Sequence, residues 1–268
     1  MQNSCPDYQN LKLGFIGFGN MASAIVDGLL KANAIPASNI HVCANSYEKL
    51  IPRAQMRGII AEASPRNVIS NADFIFIAVK PYLVAKVLEP VRDALLGKTV
   101  VSVAVNMPYE TYETILAPGT HHISTLPNTP VRVCEGVWIC ENAHSLNADE
   151  LKLVQDLLGK VSRVVMVDTA LMGIAGTITG CGPAFIAMCQ EALADAAVKH
   201  GVPRTLAYEL AGQMIAGTGK LAVETNTIPA ALKDAVCSPG GTTIKGVAAL
   251  ERSGLRAAFL NAIDAIEG

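Results

Sequence analysis

Two short stretches carry residue types and spacings that can do chemistry. In Gly17-Phe18-Gly19-Asn20-Met21-Ala22 the small residues fall at the fixed places of G-x-G-x-x-A, between an apolar run (residues 11–17) and a helix-periodic segment (residues 21–32). In that context Gly17 allows a tight turn and Gly19 lets backbone approach an anion. Ala22 lets helix pack closely on strand, and the helix N-terminus offers unpaired N–H groups to a pyrophosphate. A glycine-rich turn that binds nothing is the bland alternative. The second stretch is Ser238-Pro239-Gly240-Gly241-Thr242-Thr243. Two glycines just before a helix let successive N–H groups converge on a carboxylate. A turn in which Thr242 only caps the next helix explains the same residues equally well.

At the end of the next β-type run, where an NAD site usually carries Asp or Glu, the chain reads Ala44-Asn45-Ser46-Tyr47. Asn45 and Ser46 can hydrogen-bond a 2′-phosphate, which favours NADPH, with NADH as the alternative. Lys49 and Arg53 could add positive charge there, or simply belong to a solvated helix face. No competing chemistry stands out. His121 and His122 are adjacent, and His41, His144 and His200 are isolated. Glu191 and Asp195 share a helix face without a histidine, so no metal site is expected. The seven cysteines form no C-x-x-C pair.

The elements that must position these stretches divide the chain in two. Strand-like runs alternate with helical patterns up to Val167, including residues 40–44, 74–79, 99–105, 122–126, 136–140 and 163–167. A helix is expected over residues 83–96, and Asn147 with Glu150 has the form of a capping box. From there on the pattern is helical: residues 183–200, 203–224, 230–236, 242–251 and 255–266. The expected fold is α/β, a doubly wound and mainly parallel sheet over residues 1–168, followed by an all-α domain over residues 169–268. Residues 169–190 carry no charge, a length that could span a bilayer. Four glycines and Pro183 make a buried interface helix the better reading. Of the 268 residues, 51% are hydrophobic and 16% charged, with a net charge of −2, so nucleic acid is not an expected partner. The first ten residues have no signal-peptide pattern and read as a disordered lead-in to a cytoplasmic protein.

Taken together, several strings resemble the pyrroline-5-carboxylate reductases. They are residues 15–22, Ala78-Val79-Lys80-Pro81, Pro127-Asn128-Thr129-Pro130, residues 180–185 and the long string over residues 232–244. The resemblance implies NADPH-dependent reduction of the cyclic imine 1-pyrroline-5-carboxylate to L-proline. It implies that Gly17 to Ala22 bind the pyrophosphate and that Asn45 and Ser46 bind the adenosine ribose. Ala78, Val79 and Lys80 would lie on the nicotinamide side, with Asn128 in the loop lining that pocket. Ser238 to Thr243 would hold the substrate carboxylate, and Thr243 would hydrogen-bond the ring nitrogen. Such enzymes are homodimers with interlocked helical domains, sometimes assembled further. Another small cyclic imine acid as substrate, or a non-catalytic nucleotide-binding relative, are the rival readings. The related β-hydroxyacid dehydrogenases place a lysine shortly after a glycine-rich helix segment. Here none follows Gly180-Cys181-Gly182 until Lys199, which argues against alcohol oxidation. Asn106 stands where the family usually has glycine, and asparagine tolerates positive φ better than most residues.

Overall fold

The computed structural model describes residues 10–268; Cys5 and most of the expected lead-in lie outside them. Eight strands form one sheet: β1 (Leu13–Ile16), β2 (Ile40–Cys43), β3 (Ile60–Ala61), β4 (Phe74–Ile77), β5 (Thr99–Ser102), β6 (His121–Pro127), β7 (Gly136–His144) and β8 (Ser162–Val167). Their order is β3-β2-β1-β4-β5-β6-β7-β8, and only the β6–β7 pair is antiparallel. The helices among them are α1 (Asn20–Lys31), α2 (Tyr47–Gln55), α3 (Pro65–Asn71), α4 (Val84–Leu88), α5 (Tyr109–Ile115) and α6 (Ala148–Leu158). After β8 come α7 (Met172–Lys199), α8 (Arg204–Thr225), α9 (Pro229–Ala235), α10 (Thr242–Arg252) and α11 (Leu255–Glu267).

Central strands are apolar on both faces because helices cover both. In β4, Phe74 and Phe76 join Leu13, Phe15 and Val101 in one core cluster, while Ile75 and Ile77 join Ile16 and Val100 in the other. Phe15 and Phe76 stack at 4.7 Å, and the edge of Trp138 meets Phe76 at 6.3 Å. Helix α1 lies so close to the turn after β6 that a Cβ on Gly28 would sit 2.1 Å from the Val131 carbonyl oxygen. Asn147 and Glu150 form the capping box at the start of α6, as their spacing predicts.

Two expectations need correction, and three short elements are added. The helix expected over residues 83–96 is α4 followed by a 3-10 stretch, Glu89–Leu95. Pro90 has no N–H to continue the α ladder, and its ring crowds the preceding turn. β3, α3 and α5 are too short to show a period and were not expected. The helix expected from Pro183 instead starts at Met172 and runs through Gly180-Cys181-Gly182-Pro183.

The chain divides into one compact unit ending at Gly180 and a second from Cys181 to Gly268. Among the described residues of the second unit, the only buried side chains are Ala194, Ala207 and Ala211, where α7 meets α8. Leu210, Met214, Leu221 and Leu260 remain exposed on it. Such a helical surface is unusual for a lone chain and marks an association face. The segment Thr169–Lys199 is long and apolar enough to cross a membrane by length and composition alone.

Candidate active site

The ends of β1, β2, β4 and β5 lie in one line, because Ile16 pairs with both Cys43 and Ile77, and Ile77 pairs with Ser102. The chain turns outward from β1 in opposite directions, so the β1–β4 boundary is the switch point where open α/β sheets bind ligands. Gly17 leaves β1 there with φ +98°. Its N–H donates to the Cys43 carbonyl at 3.0 Å, and the Ala78 N–H donates to the Ile16 carbonyl at 2.9 Å. A Cβ on Gly17 would meet the Ala78 carbonyl oxygen at 2.6 Å, so both φ and space require glycine.

Gly19 is the N-cap of α1, with no side-chain cap, and a Cβ there would have open space around it. Asn20 is exposed, Met21 is half-buried, and Ala22 is packed into the core. The first-turn N–H groups of α1 therefore face an open cradle, and the helix dipole favours an anion. These features fit the pyrophosphate of a dinucleotide. The Phe18 ring is buried, with the Arg53 and Arg57 guanidinium groups over it at 5.0 and 5.7 Å, so its side chain is not open to a ligand.

Asn45 is exposed at the end of β2, and Ser46 is the N-cap of α2 with its hydroxyl making no cap hydrogen bond. Lys49 is exposed. Arg53 folds back rather than lying on a solvated face, donating to Ser23 Oγ at 2.8 Å. Arg57 instead pairs with Asp27 at 2.6 Å. Ala78 and Val79 are half-buried at the end of β4, and Lys80 is exposed.

Asn128 is buried, and its side chain has a specific task. Its Oδ1 accepts the Val137 N–H at 2.9 Å, and its Nδ2 donates to the Thr179 carbonyl at 3.1 Å. Thr179 is four residues before Pro183, and in a regular helix its carbonyl would accept the N–H that proline lacks. Asn128 supplies the missing donor, which explains why α7 passes through Pro183 unbroken. Asn106 has φ +57°, as a position suited to glycine requires.

In the second unit, Ser238, Pro239 and Gly240 are exposed between α9 and α10. Gly240 has φ +68°, and the Gly241 N–H donates to the Ser238 carbonyl at 3.0 Å. A Cβ on Gly241 would lie 2.4 Å from Ser238 Oγ. Gly241 is the N-cap of α10 and has no side-chain cap, so Thr242 is the first helical residue rather than a cap. Thr242 and Thr243 are exposed in the first turn. A carboxylate could accept from this turn's N–H groups while Thr243 Oγ1 stays available to a polar ring atom.

Three histidines are held by carboxylates: His41 by Glu62 at 2.9 Å, His121 by Glu150 at 2.7 Å and His122 by Glu113 at 2.6 Å. Among the described residues no group of three or more candidate ligands could hold a metal. Burial pushes the Cys43 thiol up to about 11 and the Cys140 thiol up to about 12, so neither is a ready nucleophile. Sequence reasoning missed Glu141, a carboxylate in the apolar strand β7. Its one signal was an acidic residue directly after the run over residues 136–140.

The family model for pyrroline-5-carboxylate reductase dimerisation matches residues 169–267. The family model for NADP oxidoreductase, coenzyme F420-dependent, matches residues 12–106. A pyrroline-5-carboxylate reductase from Treponema pallidum is 43% identical over 259 residues, 95% of this chain and 98% of that protein. The chain belongs to the pyrroline-5-carboxylate reductase family. A relative of the same name from Methanosarcina acetivorans is 36% identical over 95% of both chains. The crystal structure of Plasmodium falciparum pyrroline carboxylate reductase with NADP bound superimposes with a TM-score of 0.85 at 30% identity, covering 96% of each chain. The chain is thus an NAD(P)H-dependent reductase that forms homodimers. Membership also accounts for the apolar Thr169–Lys199 helix, which lies in the dimerisation segment and does not indicate a membrane protein.

Proposed function

We propose that this chain reduces 1-pyrroline-5-carboxylate to L-proline with its Ser238–Thr243 turn holding the substrate and its Gly17–Ala22 turn holding NADPH. The observation that carries the reading is the pair of uncapped helix N-termini, at Gly19 and Gly241, each entered through a glycine with positive φ, Gly17 and Gly240. When bound, NADPH supplies the hydride that the imine carbon accepts. Gly17 to Ala22 hold the pyrophosphate, Asn45 and Ser46 the adenosine ribose with its 2′-phosphate, and Ala78, Val79 and Lys80 flank the nicotinamide. Asn128 shapes the neighbouring loop through its two structural hydrogen bonds.

Ser238, Pro239, Gly240, Gly241 and Thr242 grip the substrate carboxylate. Thr243 Oγ1 hydrogen-bonds the ring nitrogen, which takes its one added proton from solvent water as the carbon gains hydride. An imine needs no base to remove a proton, in keeping with two turns that hold no histidine or carboxylate. The rate then rests on orientation of the reacting atoms. Residues 1–168 serve as the coenzyme domain and residues 169–268 as the substrate and dimerisation domain. The enzyme works in the cytoplasm, with NADPH preferred over NADH and higher assembly built from dimers.

Following NADPH absorbance with 1-pyrroline-5-carboxylate and with its six-membered homologue tests the substrate. Faster turnover of the six-membered ring would overturn the five-membered assignment. Thr243→Ala is expected to lose at least tenfold in kcat with NADPH affinity unchanged. Unchanged turnover would remove Thr243 from the reaction.

A further inference from the structure

Glu141 lies in β7 with only 1% of its surface exposed. A buried carboxylate is costly unless its oxygens are hydrogen-bonded, and both are. Oε2 accepts the backbone N–H of Tyr109 at 2.7 Å, and Oε1 accepts the hydroxyl of Thr169 at 2.6 Å. The neighbouring Asn142 donates to Asp168 Oδ1 at 2.6 Å, so this strand holds the segment entering α7 by two adjacent side chains.

Tyr109 is the first residue of α5 and closes the loop over residues 103–108. That loop leaves β5 directly after Ser102, on the same edge of the sheet as Gly17 and Ala78. The Val103 N–H donates to the Ile77 carbonyl at 3.0 Å, fixing the loop's near end to β4. Its far end is tied at Met107, whose carbonyl accepts from Ser124 Oγ at 2.8 Å, and at Tyr109 by Glu141. Between these ties stand the exposed Val105 and Asn106 with its φ of +57°.

We infer that Glu141 is a positioning residue for hydride transfer, holding the β5–α5 loop at the coenzyme edge through the Tyr109 N–H while Thr169 orients its carboxylate. The inference rests on the reductase reading above. Glu141 touches no reacting atom in this scheme; it acts through the loop. A misplacement of about 1 Å can cost roughly 10²-fold in rate, so a loosened loop should show in the chemical step rather than in binding.

The test uses the full-length dimer. Single-turnover hydride transfer, with the isotope effect from NADPH deuterated at the transferred position, is compared for wild type, E141Q and T169V. The glutamine of E141Q keeps one acceptor but turns an amide donor toward a donor. T169V replaces the hydroxyl by a methyl of similar size and does not touch the Tyr109 N–H. The expected result is at least a fivefold slower transfer in E141Q and at least a twofold slower one in T169V. The isotope effect on kcat should rise, with NADPH Kd and dimer content as in wild type. A smaller loss in E141Q, or a loss matched by weaker NADPH binding or fewer dimers, overturns the inference. If E141Q does not fold, T169V decides by the same criteria. Failure of the wild type to oxidise NADPH with 1-pyrroline-5-carboxylate would reject the reductase reading and the inference with it, whereas failure of the inference alone shows only in the variants while the wild type turns over.

Discussion

Replacing Asn128 by alanine removes two hydrogen bonds at once and leaves their partners, the Val137 N–H and the Thr179 carbonyl, unserved. A neutral hydrogen bond contributes about 1 kcal/mol net, and a buried group stripped of its partner costs about 1–3 kcal/mol. With some relief from a water entering the vacated space, the variant should lose about 3 kcal/mol. At about 2–4 °C per kcal/mol, the melting temperature should fall by about 6–12 °C, compared at one protein concentration because dimerisation contributes to stability. The decisive comparison adds Pro183→Ala, which restores an N–H four residues beyond Thr179. In that background the Thr179 carbonyl regains a donor within the helix, so Asn128→Ala should cost about 1 kcal/mol less. Urea unfolding of the four proteins gives the coupling. Equal costs of Asn128→Ala in both backgrounds would refute the reasoning that Asn128 replaces the proline's missing donor.

Acid should weaken the fold through His122. Burial lowers its pKa from the ordinary 6.5 against the opposing pull of Glu113 and the charge of Glu141, with the Tyr109 ring stacked on it. Below 6.5 the unfolded chain then binds the proton more readily, so stability is full above that value and falls as pH drops toward the folded pKa. Urea unfolding between pH 7 and pH 5 should show this decline, about flat again in His122→Gln; an undiminished slope in the variant would assign the decline elsewhere. The two glycines of the turn proposed to hold NADPH should separate stability from binding. Gly17→Ala, strained by φ +98° and the Ala78 carbonyl, is expected to lose about 2 kcal/mol or more of stability. Gly19→Ala has open space, so it should melt within about 2 °C of wild type while binding NADPH at least tenfold more weakly. Calorimetric melting beside coenzyme titration checks both, and a Gly19→Ala with normal affinity would place the pyrophosphate elsewhere.

Local chemistry made the Gly17–Ala22 turn, the capping box at Asn147 and the glycine turn before α10 legible in the sequence. Each is signalled by residues within a few positions of one another, and the positive φ at Gly17, Asn106 and Gly240 falls on residue types that adopt it readily. The alternation of strands and helices likewise fixed the fold class, because periodicity follows from which faces must be buried. Other features depend on partners far away in the chain and could come only from the tertiary structure. Helix α7 starts eleven residues before Pro183 because a side chain from the β6–β7 turn meets the carbonyl that the proline leaves free. Arg53 turns inward because Phe18 in the turn after β1 and Ser23 in α1 receive it. Glu141 reads as an odd charge in an apolar strand until folding brings the Tyr109 N–H and the Thr169 hydroxyl to its two oxygens. A sequence states which groups will need a partner; only the packed chain decides which partner arrives.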